Sequence, residues 1–402
     1  MNNLFQYIKG DKTIWAVIAL MALFSFLPVY SSSSNLAYLY GNGNTIRFLI
    51  KHGAHLLLGV LIIYGVHRVP YHYFKGLSIL ALPIVVILLI ITIAQGTTIA
   101  GANASRWIQI PFIGLTFQTS SLAMVVLMAY VARYLSKIKD ETITFKESIL
   151  PLWVPVFIVI ALILPANFST AAIIFVMVTT LVFLGGYPLK YLGIILGAGL
   201  LCLTLFVLTA KAFPDLLPNR VDTWISRIDS FTDGSNTEEA YQIEKAKIAI
   251  ASGGIAGLGP GKSVQKNFLP QSSSDFIYAV IVEEFGLFGG LFVMLLYLLL
   301  LFRLVIISHK APSAFAKLLA IGVGMPIVFQ ALINMGVAVE LFPVTGQTLP
   351  LISSGGTSIW MTCLALGIVL SVSAGKKEEP INEESTEETE GENPLEILSK
   401  TI

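Results

Sequence analysis

Charge is what this sequence has least of. Only 12% of its 402 residues are Asp, Glu, Lys or Arg, about half the share of a soluble domain. A chain so poor in charge and 55% hydrophobic reads as a polytopic membrane protein. The net charge of +1 supplies no basic field for nucleic acid. Cysteine is nearly absent too. Cys202 and Cys363 both fall in apolar runs, read as small core residues, and leave no disulfide framework. No zinc-ligand spacing, nucleotide fingerprint or Ser-His-Asp arrangement occurs.

What is abundant is the long apolar run. Ten segments approach the roughly 20 residues that a span requires: about 13–31, 45–66, 75–95, 115–136, 148–165, 168–186, 188–210, 276–303, 314–338 and 355–374. The fold class expected is an all-α polytopic membrane protein with a long extracytoplasmic loop, about 211–275, between the seventh and eighth spans. Lys and Arg crowd alternate loops: Lys9 and Lys12, Arg68 and Lys75, Arg133 to Lys146, Lys190, Arg303 to Lys317, then Lys376 and Lys377. Of the opposite short loops, 32–44 has no Lys or Arg and 96–114 has only Arg106. Cationic loops stay in the cytoplasm, so both termini are expected there, in the cytoplasmic (inner) membrane. The first run lacks a small-x-small cleavage site and reads as a retained span rather than a signal peptide. Residues 1–377 form the membrane domain. The acidic tail 378–402 lacks aromatics and reads as disordered. No internal repeat is visible.

The long loop gathers the unusual residues. Within it, "EEAYQIEKAKIAIASGG" has helical spacing, with Tyr241, Ala246, Ile248 and Ala249 expected on one face and Gly253-Gly254 ending the helix. Arg220 and Arg227 come earlier. Gly253–Lys266 holds five glycines, Lys262, Lys266 and Ser263, with Gln265 beside them. Glycines let backbone amides approach an anion, and Lys and Arg add charge, a combination suited to a phosphate-bearing ligand. The spacing is not that of a P-loop. A solvated loop with interfacial cations is the plainer alternative.

Asp275 stands where this loop meets the eighth span. It suits a helix N-cap, and a carboxylate at a helix mouth also suits proton abstraction from a hydroxyl. Glu283 and Glu284 lie roughly 12 Å further along the helix and point about 100° apart. Intramembrane acids usually face the bundle interior, so each is expected to close a separate polar network, shaping a cavity beneath Asp275. Arg106 suits either an interfacial anchor or a ligand. Lys51 can snorkel and His52 suits packing. "NFST" at Asn167–Thr170 suits a helix cap. "PVTGQTLPLISSGGTS", Pro343–Ser358, reads as an irregular cavity-lining segment or a turn, since such backbone at membrane depth needs protein or a wet cavity around it.

These residues carry a resemblance. "AIASGGIAGLGPGKSVQKNFLPQSSSDFIYAVIVEEFGLFGG", "RWIQI" and "INMGVAVELFPVTGQTLPLISSGGTS" resemble the SEDS family (shape, elongation, division and sporulation), its division members more than its elongation members. The likeness spans nearly all of residues 13–375. It implies a peptidoglycan glycosyltransferase that polymerises lipid II outside the cytoplasmic membrane. It also implies a class B penicillin-binding transpeptidase and other division proteins as partners, and a divalent cation, Mg or Mn. It makes Asp275 the general base and one of Glu283 or Glu284, Glu283 by preference, a functional glutamate. Arg220, Arg227, Lys262 and Lys266 become candidates for the departing diphosphate. Three departures stand out. Thr119, Ser121 and Met124 replace the family's Pro, Glu and Lys, Asn167 replaces an acid, and Lys245-Ala246 replaces Gln-Ser. A lipid II flippase and a non-catalytic scaffold for the transpeptidase remain as alternatives.

Overall fold

The computed structural model describes residues 9–40, 44–95, 106–109, 116–139, 144–212, 238–269 and 271–375. Arg220, Arg227 and the tail 378–402 lie outside them. Each apolar run is helical, because backbone in hydrocarbon must satisfy its own polar groups. The first three helices are α1 (Lys12–Tyr40), α2 (Thr45–Val66) and α3 (Tyr73–Gln95). A two-stranded antiparallel ribbon follows, β1 (Trp107–Gln109) with β2 (Thr116–Gln118), pairing Trp107 with Gln118. Next come α4 (Thr119–Lys137), α5 (Phe145–Ser148), a π-helical turn (Ile149–Trp153) and α6 (Val154–Ile163). Then come α7 (Phe168–Leu184), α8 (Leu189–Ala212), α9 (Glu238–Gly253), α10 (Ile277–Lys310), α11 (Ala314–Ala338) and α12 (Thr357–Ala374).

Among the described residues, eight helices are long and apolar enough to cross a membrane. The segments expected at 168–186 and 188–210 appear as the apolar helices α7, Phe168–Leu184, and α8, Leu189–Ala212. The core centres on α11, whose apolar window is 72% buried, against 28% for α2 and α3. It packs on α4, α7, α10 and α12, while α12 lies along α2 and α1 lies along α10. The π turn has a local cause. Pro155 has no amide to give the Pro151 carbonyl, and the Tyr130 hydroxyl donates to that carbonyl instead, at 2.6 Å.

Four expectations are corrected. The serine run did not end α1 near residue 31. Ser32 donates to the Pro28 carbonyl at 2.7 Å and Ser34 to that of Ser31 at 2.7 Å, so these hydroxyls are satisfied within the continuing helix. The buried face of α9 is Ile243, Ala246 and Ala249; Tyr241 and Ile248 are exposed. The ribbon β1–β2 had no signal in its short strands. Cys202 is exposed on α8, although Cys363 is buried.

One ion pair closes the end of the bundle where α1 begins. The Asp11 carboxylate accepts from the amides of Thr13 and Ile14 at 2.9 and 3.0 Å, capping α1. It also accepts from both Nε and Nη2 of Arg303 on α10. The Asp11 amide donates to Ser373 Oγ on α12 at 2.9 Å, so three helices meet at one residue. Burial alone would raise the Asp11 carboxyl, but the Arg303 and amide hydrogen bonds outweigh it and hold it below its ordinary 3.8. A depressed carboxyl stabilises the fold above its ordinary value and loses that contribution as pH falls through the lower folded-state value. Arg303→Gln is expected to cost about 1–2 kcal/mol in thermal unfolding at neutral pH. The difference from wild type should shrink once the pH drops below 3.8.

Candidate functional site

At the other end of α10 the chain makes a tight turn, in which the amides of Asp275 and Phe276 donate to the Gln271 carbonyl at 3.1 and 3.3 Å. Phe276 occupies the N-cap position, so Asp275 is not the cap that the sequence suggested. The half-buried Asp275 side chain turns toward Gly346. Its Oδ2 lies 3.6 Å from the point a Gly346 Cβ would occupy, and Arg106 Nη1 lies 3.7 Å from the same point. A carboxylate and a guanidinium therefore flank a glycine, at φ +66°, that has no side chain to separate them.

Side chains from four elements fix this arrangement. Asn334 on α11 donates to the carbonyls of Asp275 and Gln347, each at 2.7 Å. Ser353 donates to the Ser274 carbonyl at 2.6 Å, and the Ser354 amide donates to that of Ser273 at 2.9 Å. Gln347 reaches Thr170 Oγ1 on α7 at 2.9 Å, and Asn167 caps the same turn by accepting from the Thr170 amide at 3.2 Å. Arg106, just ahead of β1, donates from Nε to the Ala166 carbonyl at 3.0 Å. The irregular segment 343–356 is thus stitched to α7, α11 and the start of α10, which satisfies backbone that no helix serves. Beneath it, Gln330 donates to the Thr348 carbonyl at 3.0 Å. There a water-sized cavity of about 30 Å³ is lined by Ser121, Met124, Gln330, Ser358 and Thr362. The two positions that depart from the resembled ion pair both face it.

Glu283 and Glu284 are each 1% exposed, and they share one task rather than two. The Glu283 carboxylate accepts from the Ser263 hydroxyl and from the amides of Val264, at 3.0 Å, and Gln265, at 3.2 Å. Glu284 accepts from the Ser263 amide at 3.2 Å and from the Ser31 hydroxyl on α1. Lys266, 8% exposed, donates to Ser31 Oγ at 3.0 Å and to the Gly261 carbonyl at 2.8 Å. Both acids grip the loop 257–266 instead of lining a cavity under Asp275. The expected divergence of their side chains is overcome because the loop folds over both.

The backbone makes this possible. Gly286 has φ +67°, which interrupts α10 and frees two carbonyls. Glu283 and Glu284 use those carbonyls to accept from the amides of Leu258 and Gly259, both at 2.9 Å. A Cβ on Gly257 would lie 2.3 Å from the Glu284 carbonyl oxygen, and one on Gly286 would lie 2.2 Å from that of Ile255. Only glycine allows both the dihedral and the approach.

The expected ligand-binding residues therefore separate. Ser263 and Lys266 are buried and engaged inside the clamp, and the Gln265 amide is held there too. Lys262 is exposed on the loop, and Arg106 stands beside Asp275. Lys51 is exposed on α2 and joins neither group. His52 packs, as expected, with Nε2 2.8 Å from Ser25 Oγ and its ring against Phe26. Sequence reasoning missed Asn334, Gln347, Ser353 and Ser31. Each is a small polar residue in an apolar or serine-rich run, and that placement was the available signal.

The sequence profile of the FtsW/RodA/SpoVE family, described as cell cycle proteins, matches residues 11–378. The chain belongs to this family. A probable peptidoglycan glycosyltransferase FtsW of Nitrosococcus halophilus (strain Nc4) is 33% identical over 364 residues, covering 89% of this chain and 90% of that protein. One of the same name from Coxiella burnetii is 31% identical over 378 residues, covering 91% and 97%. Among solved structures, a chain from work on the structural coordination of polymerization and crosslinking by a peptidoglycan synthase complex gives TM-score 0.71. It is 24% identical and covers 92% of this chain and 99% of that one. The rod shape determining protein RodA of Thermus thermophilus gives TM-score 0.65 at 23% identity, covering 92% and 98%. This FtsW/RodA/SpoVE member is therefore a multi-pass, mainly helical membrane protein with the fold of those structures.

Glu283→Ala would strand the Ser263 hydroxyl and the amides of Val264 and Gln265. The expected cost is about 2–3 kcal/mol in thermal unfolding, with faster hydrogen exchange over 257–266. Glu283→Gln, which keeps one acceptor oxygen, should lose less. Unchanged exchange in the Ala variant would refute the clamp.

Proposed function

We propose that the chain is a peptidoglycan glycosyltransferase that polymerises lipid II at the outer face of the cytoplasmic membrane, in septal wall synthesis during division. The observation that carries the reading is the placement of the Asp275 carboxylate and the Arg106 guanidinium at the same face of Gly346. Family membership and the printed names of the relatives support it.

Glycosyl transfer needs a proton acceptor at the attacking hydroxyl and cations at the leaving group. In this reading the acceptor GlcNAc hydroxyl attacks the anomeric carbon of the donor. The new carbon–oxygen bond forms as the bond to the diphosphate breaks. Undecaprenyl diphosphate leaves with the electron pair, and the hydroxyl proton passes to Asp275. Arg106 faces the negative charge that develops, with Lys262, exposed on the glycine-rich loop, and Arg220 and Arg227 of the long loop as further candidates. A divalent cation, Mg or Mn, belongs to the reading as well. Such ions are usually held by substrate phosphates with one or two carboxylates, and among the described residues no three His, Cys, Asp or Glu side chains form a cage of their own. When bound, the ion would neutralise the diphosphate, leaving Asp275 to take the proton.

The sidedness of the loop cations supports cytoplasmic termini. A class B penicillin-binding transpeptidase and other division proteins are the proposed partners. Similarity to a chain from a peptidoglycan synthase complex supports the first.

Purified protein with its transpeptidase and fluorescent lipid II should make glycan chains, resolved on a gel. Asp275→Asn is expected to lower the rate at least ~100-fold without loss of fold or partner binding. Undiminished chains would remove Asp275 as base. Lipid II movement across liposomes without chains would favour a flippase, and no chains under any condition would favour a scaffold. Asn334→Ala, which frees the Asp275 and Gln347 carbonyls, should lower kcat about tenfold with little change in KM, because it loosens the base rather than the substrate.

A further inference from the structure

A second cavity is far from Asp275. It lies at the Asp11 end of the bundle, between the start of α1, the end of α10 and the end of α12, and measures about 400 Å³. Its walls carry Lys12, Arg303 and Lys310 against a single carboxylate, Asp11. That carboxylate is committed to Arg303 and to the amides that open α1. Lys12 and Lys310 are exposed, and each is the terminal residue of its helix. The remaining wall is apolar and includes Ile306, Ile307 and Val372.

Charge and position decide what such a cavity takes. Two exposed ammonium groups favour an anion; the α1 N-terminus is already capped by Asp11, and Lys310 offsets the negative C-terminal end of α10. A small hydrated anion would gain nothing from the isoleucine wall. All three helix ends belong to spanning helices, which puts the opening at the level of lipid headgroups. Basic pockets between spanning helices bind anionic headgroups in this way. We propose that this cavity is a binding site for the phosphodiester headgroup of an anionic phospholipid, with Lys12 and Lys310 on the phosphate and the first carbons of the lipid against Ile307 and Val372. The lipid bridges α1, α10 and α12 at the level of the Asp11–Arg303 pair, so it steadies the helix whose other end carries the glycine-rich loop and Asp275.

The test is native mass spectrometry of the full chain in detergent, titrated with dioleoyl-phosphatidylglycerol or dioleoyl-phosphatidylcholine. Phosphatidylglycerol should be held about 30-fold more tightly, the worth of two interfacial cations. The double variant Lys12→Gln/Lys310→Gln should lose that preference, and each single variant should lose part of it. Thermal unfolding in phosphatidylcholine should stay unchanged, because both side chains are exposed and the Asp11–Arg303 pair is untouched. Inorganic phosphate at the same concentration should not displace the lipid. Equal retention of the two lipids, an undiminished preference in the double variant, or displacement by inorganic phosphate would each overturn the assignment.

Discussion

The architecture around the start of α10 depends on two buried carboxylates that accept hydrogen bonds from a loop. Glu283 and Glu284 sit in an apolar helix, where an uncompensated charge would be costly. The loop 257–266 offsets much of that cost by supplying three amides, a serine hydroxyl and, through Ser31, the reach of Lys266, although Glu284 Oε2 is left without a partner among the described residues. The dependence runs both ways. A glycine-rich segment has little side-chain packing to hold it, and here it gains fixed partners on the helix that begins next to Asp275. The break at Gly286 belongs to the same device, since without it the Glu283 and Glu284 carbonyls would be spent inside α10.

Asp275 is positioned by other means. Its carbonyl is tied to Asn334, its neighbours Ser273 and Ser274 to Ser354 and Ser353, and its carboxylate faces Gly346, as the Arg106 guanidinium does. Most of these bonds use backbone carbonyls on the turn that carries the carboxylate. A general base has to be placed within hydrogen-bonding reach of its proton while retaining its charge.

The departures on α4 also have a physical account. Ser121 and Met124 stand where the resemblance led to an ion pair, and both face a cavity the size of a water. Removing both members of a pair strands neither charge. The flexible Met side chain fills irregular space, and Ser121, Gln330, Ser358 and Thr362 leave the remainder polar. Asn167, in place of an acid, still caps α7.

The sequence by itself determined the helical membrane fold, the helical start of the 238–253 segment, the irregular 343–356 segment and the family. Each follows from patterns local to the chain: runs of apolar residues, periodicity, and glycine or proline where helices stop. It also marked Asp275 and the two glutamates as unusual. The tertiary structure alone decided what they touch. Ser31 and Glu284 are 253 positions apart, Asn334 and Asp275 are 59 apart, and Arg303 and Asp11 are 292 apart. A hydrogen bond acts over about 3 Å of space whatever the separation along the chain. Apolar patterning tells which helices enter the membrane, but not which faces of them meet. For that reason a shared clamp on one loop was read as two separate buried acids, and Lys266 as a ligand-binding cation.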